Sequence, residues 1–157
     1  MDRTWPQGRS RYAVIEQGLA RFLEAQGAVL AQVELELAAG AKRSHWMWFL
    51  FPQIAGLGKS PMNQRYAISG IEEARAYLAH PVLGARLRQH VRLVLSHTDR
   101  SAHAIFGSPD DRKFRSCLTL FREAALDPED RVLFEHGLRQ FYGGEADPRT
   151  LELLSGD

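Results

Sequence analysis

The sequence predicts an all-α fold: a single compact multi-helical domain with an irregular aromatic-rich segment at about residues 41–68. Three observations carry this expectation. Apolar residues recur at three- and four-residue spacing, not in alternation. Ser-Pro and Asp-Pro pairs followed by acids recur as helix starts. Glycine or proline punctuates the end of most periodic runs. The 157 residues, 45% of them hydrophobic, suffice for one core.

Residues 1–10 are polar, with Pro6 and Gly8 and no apolar run, and are expected to form a flexible N-terminus ahead of a domain at 11–157. Residues 18–26 carry Leu19, Phe22 and Leu23 at helical spacing, and residues 28–39 place Val29, Val33 and Leu37 four apart. Gly27 between them predicts a break or bend, and Gly40 a C-terminal cap. Ser69–Gly70–Ile71–Glu72 reads as a capping box in which Glu72 reaches back to the helix start. That helix is expected to stop before His80–Pro81. Pro81 would then lead the next helix, which buries Leu83, Leu87, Val91, Val94 and Leu95 and ends near His97. Ser108–Pro109–Asp110–Asp111 predicts a serine cap, a leading proline and acids on the positive end of the dipole. Asp127–Pro128 opens the next helix, which ends at Gly143–Gly144, and Asp147–Pro148 opens the last. Residues 41–68 fit no single period.

The formal charge is +1, from 20 basic and 19 acidic residues, which argues against coating DNA or anionic membrane through overall charge. The longest apolar run, Trp46 to Phe51, is too short to span a bilayer. A single cysteine, Cys117, permits no intramolecular disulfide and suits a cytoplasmic protein.

Three segments carry candidate chemistry. The first is Lys42–Arg43–Ser44–His45–Trp46–Met47–Trp48–Phe49–Leu50–Phe51–Pro52–Gln53. Six consecutive large apolar residues exceed one helical face, so some line a pocket or interface if the rest are core. A helix capped by Ser44 would favour an anion beside Lys42. The alternative is that the aromatics are core, the cations solvated and His45 a satisfied core histidine. The second segment, Gly56–Leu57–Gly58–Lys59–Ser60–Pro61, resembles the end of a phosphate loop but lacks its spacing and preceding strand. An anion-binding turn ahead of a Ser60-capped helix competes there with a plain connection. In the third, Lys113 and Ser116 share a helical face, and Asp110 and Asp111 serve as caps or as functional carboxylates. Only 3 of the 20 basic residues are lysines, and Lys42, Lys59 and Lys113 all fall within these segments.

His80, His90, His97, His103 and His136 lack metal-ligand spacing, so no metal and no other cofactor is expected. Cys117 reads as structural. Arg86, Arg88 and Arg92 read as a solvated face ahead of a nucleic-acid contact.

The same segments carry a resemblance. Residues 21–26, 42–53, 56–60 and 66–68, His80–Pro81–Val82–Leu83–Gly84, Ile105–Phe106–Gly107 and the Asp111 to Phe121 region resemble domain-of-unknown-function family 1810. The likeness spans about residues 17–154, and Ser44–His45–Trp46–Met47–Trp48 is its most specific part. It implies an all-α single domain and no established activity. Family members carry Ser-Ser-Met-Thr-Leu-Phe where this chain has Ser116–Cys117–Leu118–Thr119–Leu120–Phe121, so the second hydroxyl is absent here. The label calpastatin, often attached to the family, implies a long, disordered, repeated inhibitor, which this short, repeat-free, cap-rich chain does not match. The order of an aromatic segment, a basic helix after Pro-x-Leu, then Gly and Asp is more loosely similar to the NADAR superfamily. That similarity implies N-glycosidic chemistry on ADP-ribose-like or riboflavin-pathway nucleotides. The superfamily's Trp-Pro-x-x-Glu-His motif is absent, its nearest counterpart being Ser44–His45–Trp46.

Two functions follow as expectations. In the first, a small anionic ligand, a phosphate-bearing nucleotide or ADP-ribose-like molecule, is held by Lys42, Ser44, Trp46, Trp48, Gln53, Lys59, Ser60, Lys113 and Ser116. If an N-glycosidic bond is cut, Asp110 or Asp111 stabilises the charge developing on the sugar and His45 protonates the departing base. In the second, the Trp-rich segment docks a protein partner or a second copy without catalysis. Nucleic-acid binding ranks below both. The first function requires the lysine-bearing segments to meet at one concavity.

Overall fold

A computed structural model describes residues 11–156, so the flexible stretch expected at 1–10 lies outside the described residues. The chain folds as α1 (Arg11–Ala39), α2 (Met47–Leu50), α3 (Pro61–Tyr66), α4 (Ile71–Ala79), α5 (Leu83–Leu95), α6 (Ala102–Phe106), α7 (Asp110–Ala124), α8 (Pro128–Tyr142) and α9 (Pro148–Gly156). The all-α class holds. The extended pairing among the described residues is one isolated parallel bridge between Ile54 and Ile68.

Local signals set most boundaries. Ser60 accepts from the Asn63 N–H at 3.1 Å, and Asp127 from Glu129 at 2.9 Å. Gly40, at φ +70°, closes α1 as a cap that a residue with a Cβ would strain to form. Four expectations need correction. The break at Gly27 does not occur, because one 29-residue helix runs through it. The cost of an interior glycine, about 1 kcal/mol, is outweighed by burial of Leu19, Phe22, Gln26, Val33 and Leu37 along a single stripe. Glu73, not Glu72, reaches back to the start of α4, accepting from the Ser69 N–H at 2.8 Å. Glu73 also pairs with Arg21 of α1 at 3.1 Å, so a tertiary contact selects the acid. The His80 ring, not Pro81, starts α5, its Nδ1 accepting from the Val82 and Leu83 N–H groups at 3.1 and 3.2 Å. Ser108 does not cap α7. The helix begins after Pro109, and the Asp111 N–H donates to the Gly107 carbonyl at 2.8 Å. The short α6, capped by Ser101, was not expected.

The core centres on α7. Its Phe114, Cys117, Leu118, Thr119, Leu120 and Phe121 are all wholly buried, and α4, α6, α8 and α9 pack around it. On the far side, α1 packs against α4 and α5. Polar clamps hold the irregular region between these layers. Arg21 donates to the carbonyls of Arg65 and Ala67, at 2.7 Å each, and anchors the end of α3. Gln26 donates to the Phe49 carbonyl at 2.8 Å and to the Tyr77 hydroxyl at 2.9 Å, so α2 is tied to α1 and α4. The Ile54–Ile68 bridge ties the loop ahead of α3 to the segment that follows it. In it the Ala55 N–H meets the Ile68 carbonyl, and the Ile68 N–H meets the Gln53 carbonyl, both at 2.8 Å. Arg88 makes a two-pronged ion pair with Asp130 at 2.7 and 2.9 Å, so it is an inter-helix tie and not a solvated cation. Among the described residues no helix is long and apolar enough to cross a membrane.

Candidate functional site

The 53–58 loop, fixed by that bridge, is the shared wall of two hollows. The first, about 160 Å³, is bounded by Trp48, Gln53, Ile54, Leu57, Gln64 and Tyr66. The second, about 310 Å³, lies between the loop and the start of α7. Gln53, Asn63, Arg112, Lys113, Ser116 and Asp147 face it. Gln53, Leu57, Gly58 and Asn63 belong to both. Asn63 folds over Gly58, where a Cβ would come within 2.3 Å of its amide nitrogen.

The aromatic run divides between core and cleft. Trp46, Met47, Phe49, Leu50 and Phe51 are buried, while Trp48 is half-exposed. The indole N–H of Trp46 donates at 2.9 Å to Glu36, a buried carboxylate of α1. Glu36 also accepts from the Arg43 and Ser44 N–H groups at 2.8 and 3.0 Å, the Ser44 hydroxyl at 2.6 Å and the Gln32 amide at 2.7 Å. Burial opposes its charge. The donors from Ser44, Arg43 and Gln32 outweigh burial and hold its pKa down at about 2.

Two lysines meet one carboxylate beside the indoles. Asp110 pairs with Lys42 at 2.8 Å and with Lys113 at 3.5 Å. The Lys42 ammonium sits 5.2 Å from the Trp46 ring centre, and the Lys113 ammonium 5.0 Å from that of Trp48. Trp48 therefore bounds the first hollow and carries on its ring the cation that bounds the second. On the opposite rim, the Ser116 hydroxyl lies 3.2 Å from an Asp147 carboxylate oxygen, which also accepts from Thr150. Arg115 and Thr119 fasten residues 145–147 to α7.

Of the sequence-predicted site residues, Trp48, Gln53, Lys113 and Ser116 face the cleft, and Lys42 joins them through Asp110. Trp46 is 1% exposed and offers no open stacking wall, because its ring and N–H are consumed by the core and Glu36. Ser44 serves Glu36 and does not cap α2, and Ser60 caps α3. Lys59 and His45 are exposed and face neither hollow. Asp111 lies 3.5 Å from His103, and its carbonyl accepts from the Tyr142 hydroxyl. His45, Asp110 and Asp111 thus do not form one acid–base cluster in the cleft. Asn63, Arg112 and Asp147 were missed as site residues. Arg112 is signalled only by standing next to Lys113, and Asp147 reads in sequence as a cap alone. Among the described residues no group of three or more His, Cys, Asp or Glu side chains is placed to hold a metal ion. Burial pushes the Cys117 thiol well above its ordinary pKa, which removes it as a nucleophile.

The molecule is thus an all-helical domain with a two-part cleft beside the start of its central helix. Residues 16–154 match the family described as "Protein of unknown function (DUF1810)", and the chain belongs to that family. It is similar in structure to the conserved hypothetical protein Rv1873 from Mycobacterium tuberculosis, with a TM-score of 0.85 and 48% identity over 88% of this chain and 97% of that one. No curated protein matches the chain.

Proposed function

We propose that this domain binds a small phosphate-bearing, nucleotide-like ligand across the two hollows. The observation that carries the reading is the Trp48–Lys113 pair. It places an aromatic residue on one hollow and a cation on the other, with Gln53 common to both. An indole suits a planar ring, and Lys113 with Arg112 suits a phosphoryl group. The first hollow is close to the roughly 150 Å³ cavity known to admit a benzene ring. That size favours a single nucleoside monophosphate over a molecule as long as ADP-ribose. Binding is supported better than N-glycosidic cleavage, since Asp110 is held by two lysines and His45 and Asp111 lie outside the lining. The competing reading, a protein-docking or dimerising Trp-rich segment, has less support. Five of the six apolar residues from Trp46 to Phe51 are buried, which leaves one half-exposed indole as an anchor.

Thermal unfolding with nucleoside monophosphates tests the reading. A ligand at a hundredfold its Kd stabilises the native state by about 2.7 kcal/mol. Uridine monophosphate is expected to raise the Tm of the wild-type protein, and Trp48→Ala or Lys113→Ala to abolish the rise. An unchanged Tm at millimolar nucleotide would remove the ligand-site proposal.

A further inference from the structure

Resting on the cleft as an anion site, one cluster has a division of labour that its contacts expose. Lys42, Asp110 and Lys113 bring two positive charges and one negative charge together in half-buried surroundings. The two pairs are unequal. Lys42 is the closer partner at 2.8 Å and the more enclosed, its side chain 8% exposed and its backbone N–H fixed to the Ile105 carbonyl at 2.7 Å. Lys113 stands off at 3.5 Å, is 18% exposed and faces the second hollow.

We propose that Lys42 is a positioning residue for phosphate recognition, acting through Asp110. Asp110 competes with a phosphoryl group for Lys113, and Lys42 neutralises Asp110, so that Lys113 keeps an uncancelled charge for the ligand. In an ordinary lysine–aspartate pair, an incoming anion must break the pair and strand the carboxylate, which is costly away from bulk water. Here Lys42 remains on Asp110 when Lys113 turns to the ligand, and no charge is stranded. Arg112, one residue before Lys113 and facing the same hollow, supplies a second donor fork.

This arrangement predicts effects of opposite sign. Lys42→Met makes Lys113 the sole partner of Asp110 and weakens uridine monophosphate binding by about tenfold, the scale of one partly screened charge contact. Asp110→Asn removes the competitor of the phosphate and tightens binding by a similar factor, while uridine, which lacks the phosphate, binds both variants as it binds wild type. Asp110→Glu restores the wild-type constant. A purely structural role for the cluster would weaken binding in both variants and affect uridine equally.

Titration calorimetry with uridine monophosphate and uridine decides. If the wild-type protein binds no uridine monophosphate, the cleft reading fails and this proposal with it. If wild type binds and Lys113→Ala does not, but Lys42→Met and Asp110→Asn shift the constant in the same direction or leave it unchanged, the cleft stands and the positioning role is overturned. Should a variant fail to fold, the wild-type ammonium resonances give the answer. Uridine monophosphate is expected to move the Lys113 Nζ signal and spare Lys42, and movement of both or neither overturns the proposal.

Discussion

Glu36 shows what one side chain contributes to this molecule. A buried carboxylate with five donors organises the turn after α1 and fixes the orientation of Trp46. Its pKa of about 2, against an ordinary 4.5, corresponds to about 3 kcal/mol of folding stability. Glu36→Gln is therefore expected to lower stability by that order, measured by urea unfolding at neutral pH, because one carboxylate oxygen becomes an amide donor set against the Gln32 and Ser44 donors. The segment that Glu36 organises was the least legible part of the sequence. Six apolar residues in a row announce that some are core without saying which. The partition between Trp46 and Trp48 is decided by an acceptor ten residues upstream, and no local spacing rule connects a helix carboxylate to an indole across a turn.

Helix ends were legible at Ser60, Asp127 and Gly40, where a common cap residue is a neighbour in sequence. At α4 a distant partner decides, since Arg21 selects Glu73 over Glu72. At α5 the cap is local but of an uncommon type, since the His80 ring does the work expected of Pro81. Two glycines give expectations of opposite sign. Gly27 is exposed in the middle of α1, and an added Cβ meets nothing within 4 Å. Gly27→Ala should stabilise by roughly 0.5–1 kcal/mol, visible as a raised midpoint in urea. Gly84, in the first turn of α5, is a close approach: a Cβ there would lie 2.1 Å from the Leu78 carbonyl oxygen. Backbone cannot yield as a flexible side chain does. Gly84→Ala should cost more than Gly27→Ala gains, and a higher Tm for Gly84→Ala would contradict the packing of α4 on α5. His80→Ala should remove about 1 kcal/mol, the usual worth of a side-chain cap.

At the scale of the whole molecule, two buried titratable groups make the fold sensitive to acid in separate windows. Burial lowers the pKa of His90, although Glu34, 3.3 Å from its Nε2, pulls the other way. Its Nδ1 has no hydrogen-bond partner. A histidine whose folded pKa is depressed favours the folded state while both states are neutral, and that contribution declines as pH drops below its ordinary 6.5. The Glu36 contribution is complete above 4.5 and disappears as pH falls toward 2. Stability followed by urea titration is expected to decline first below pH 6.5 and again below 4.5. His90→Gln should flatten the first decline alone, and Glu36→Gln the second. Helix content and the α7 core could be inferred from periodicity, but the cleft could not. Lys113, Gln53 and Asp147 are adjacent only because the Ile54–Ile68 bridge and the Arg115 clamp bring three separate stretches together. Lys59, one residue from the cleft loop, is exposed and lines neither hollow, while its neighbours Gly58 and Ser60 pack under Asn63 and cap α3.

The unequal fates of the two indoles also give the protein an optical reporter. With Trp5 replaced by phenylalanine, emission arises from one ring sealed in the core and one at the mouth of the cleft. A collisional quencher such as acrylamide should extinguish the light of Trp48 while sparing that of Trp46, and any occupant of the first hollow should shield the quenchable half.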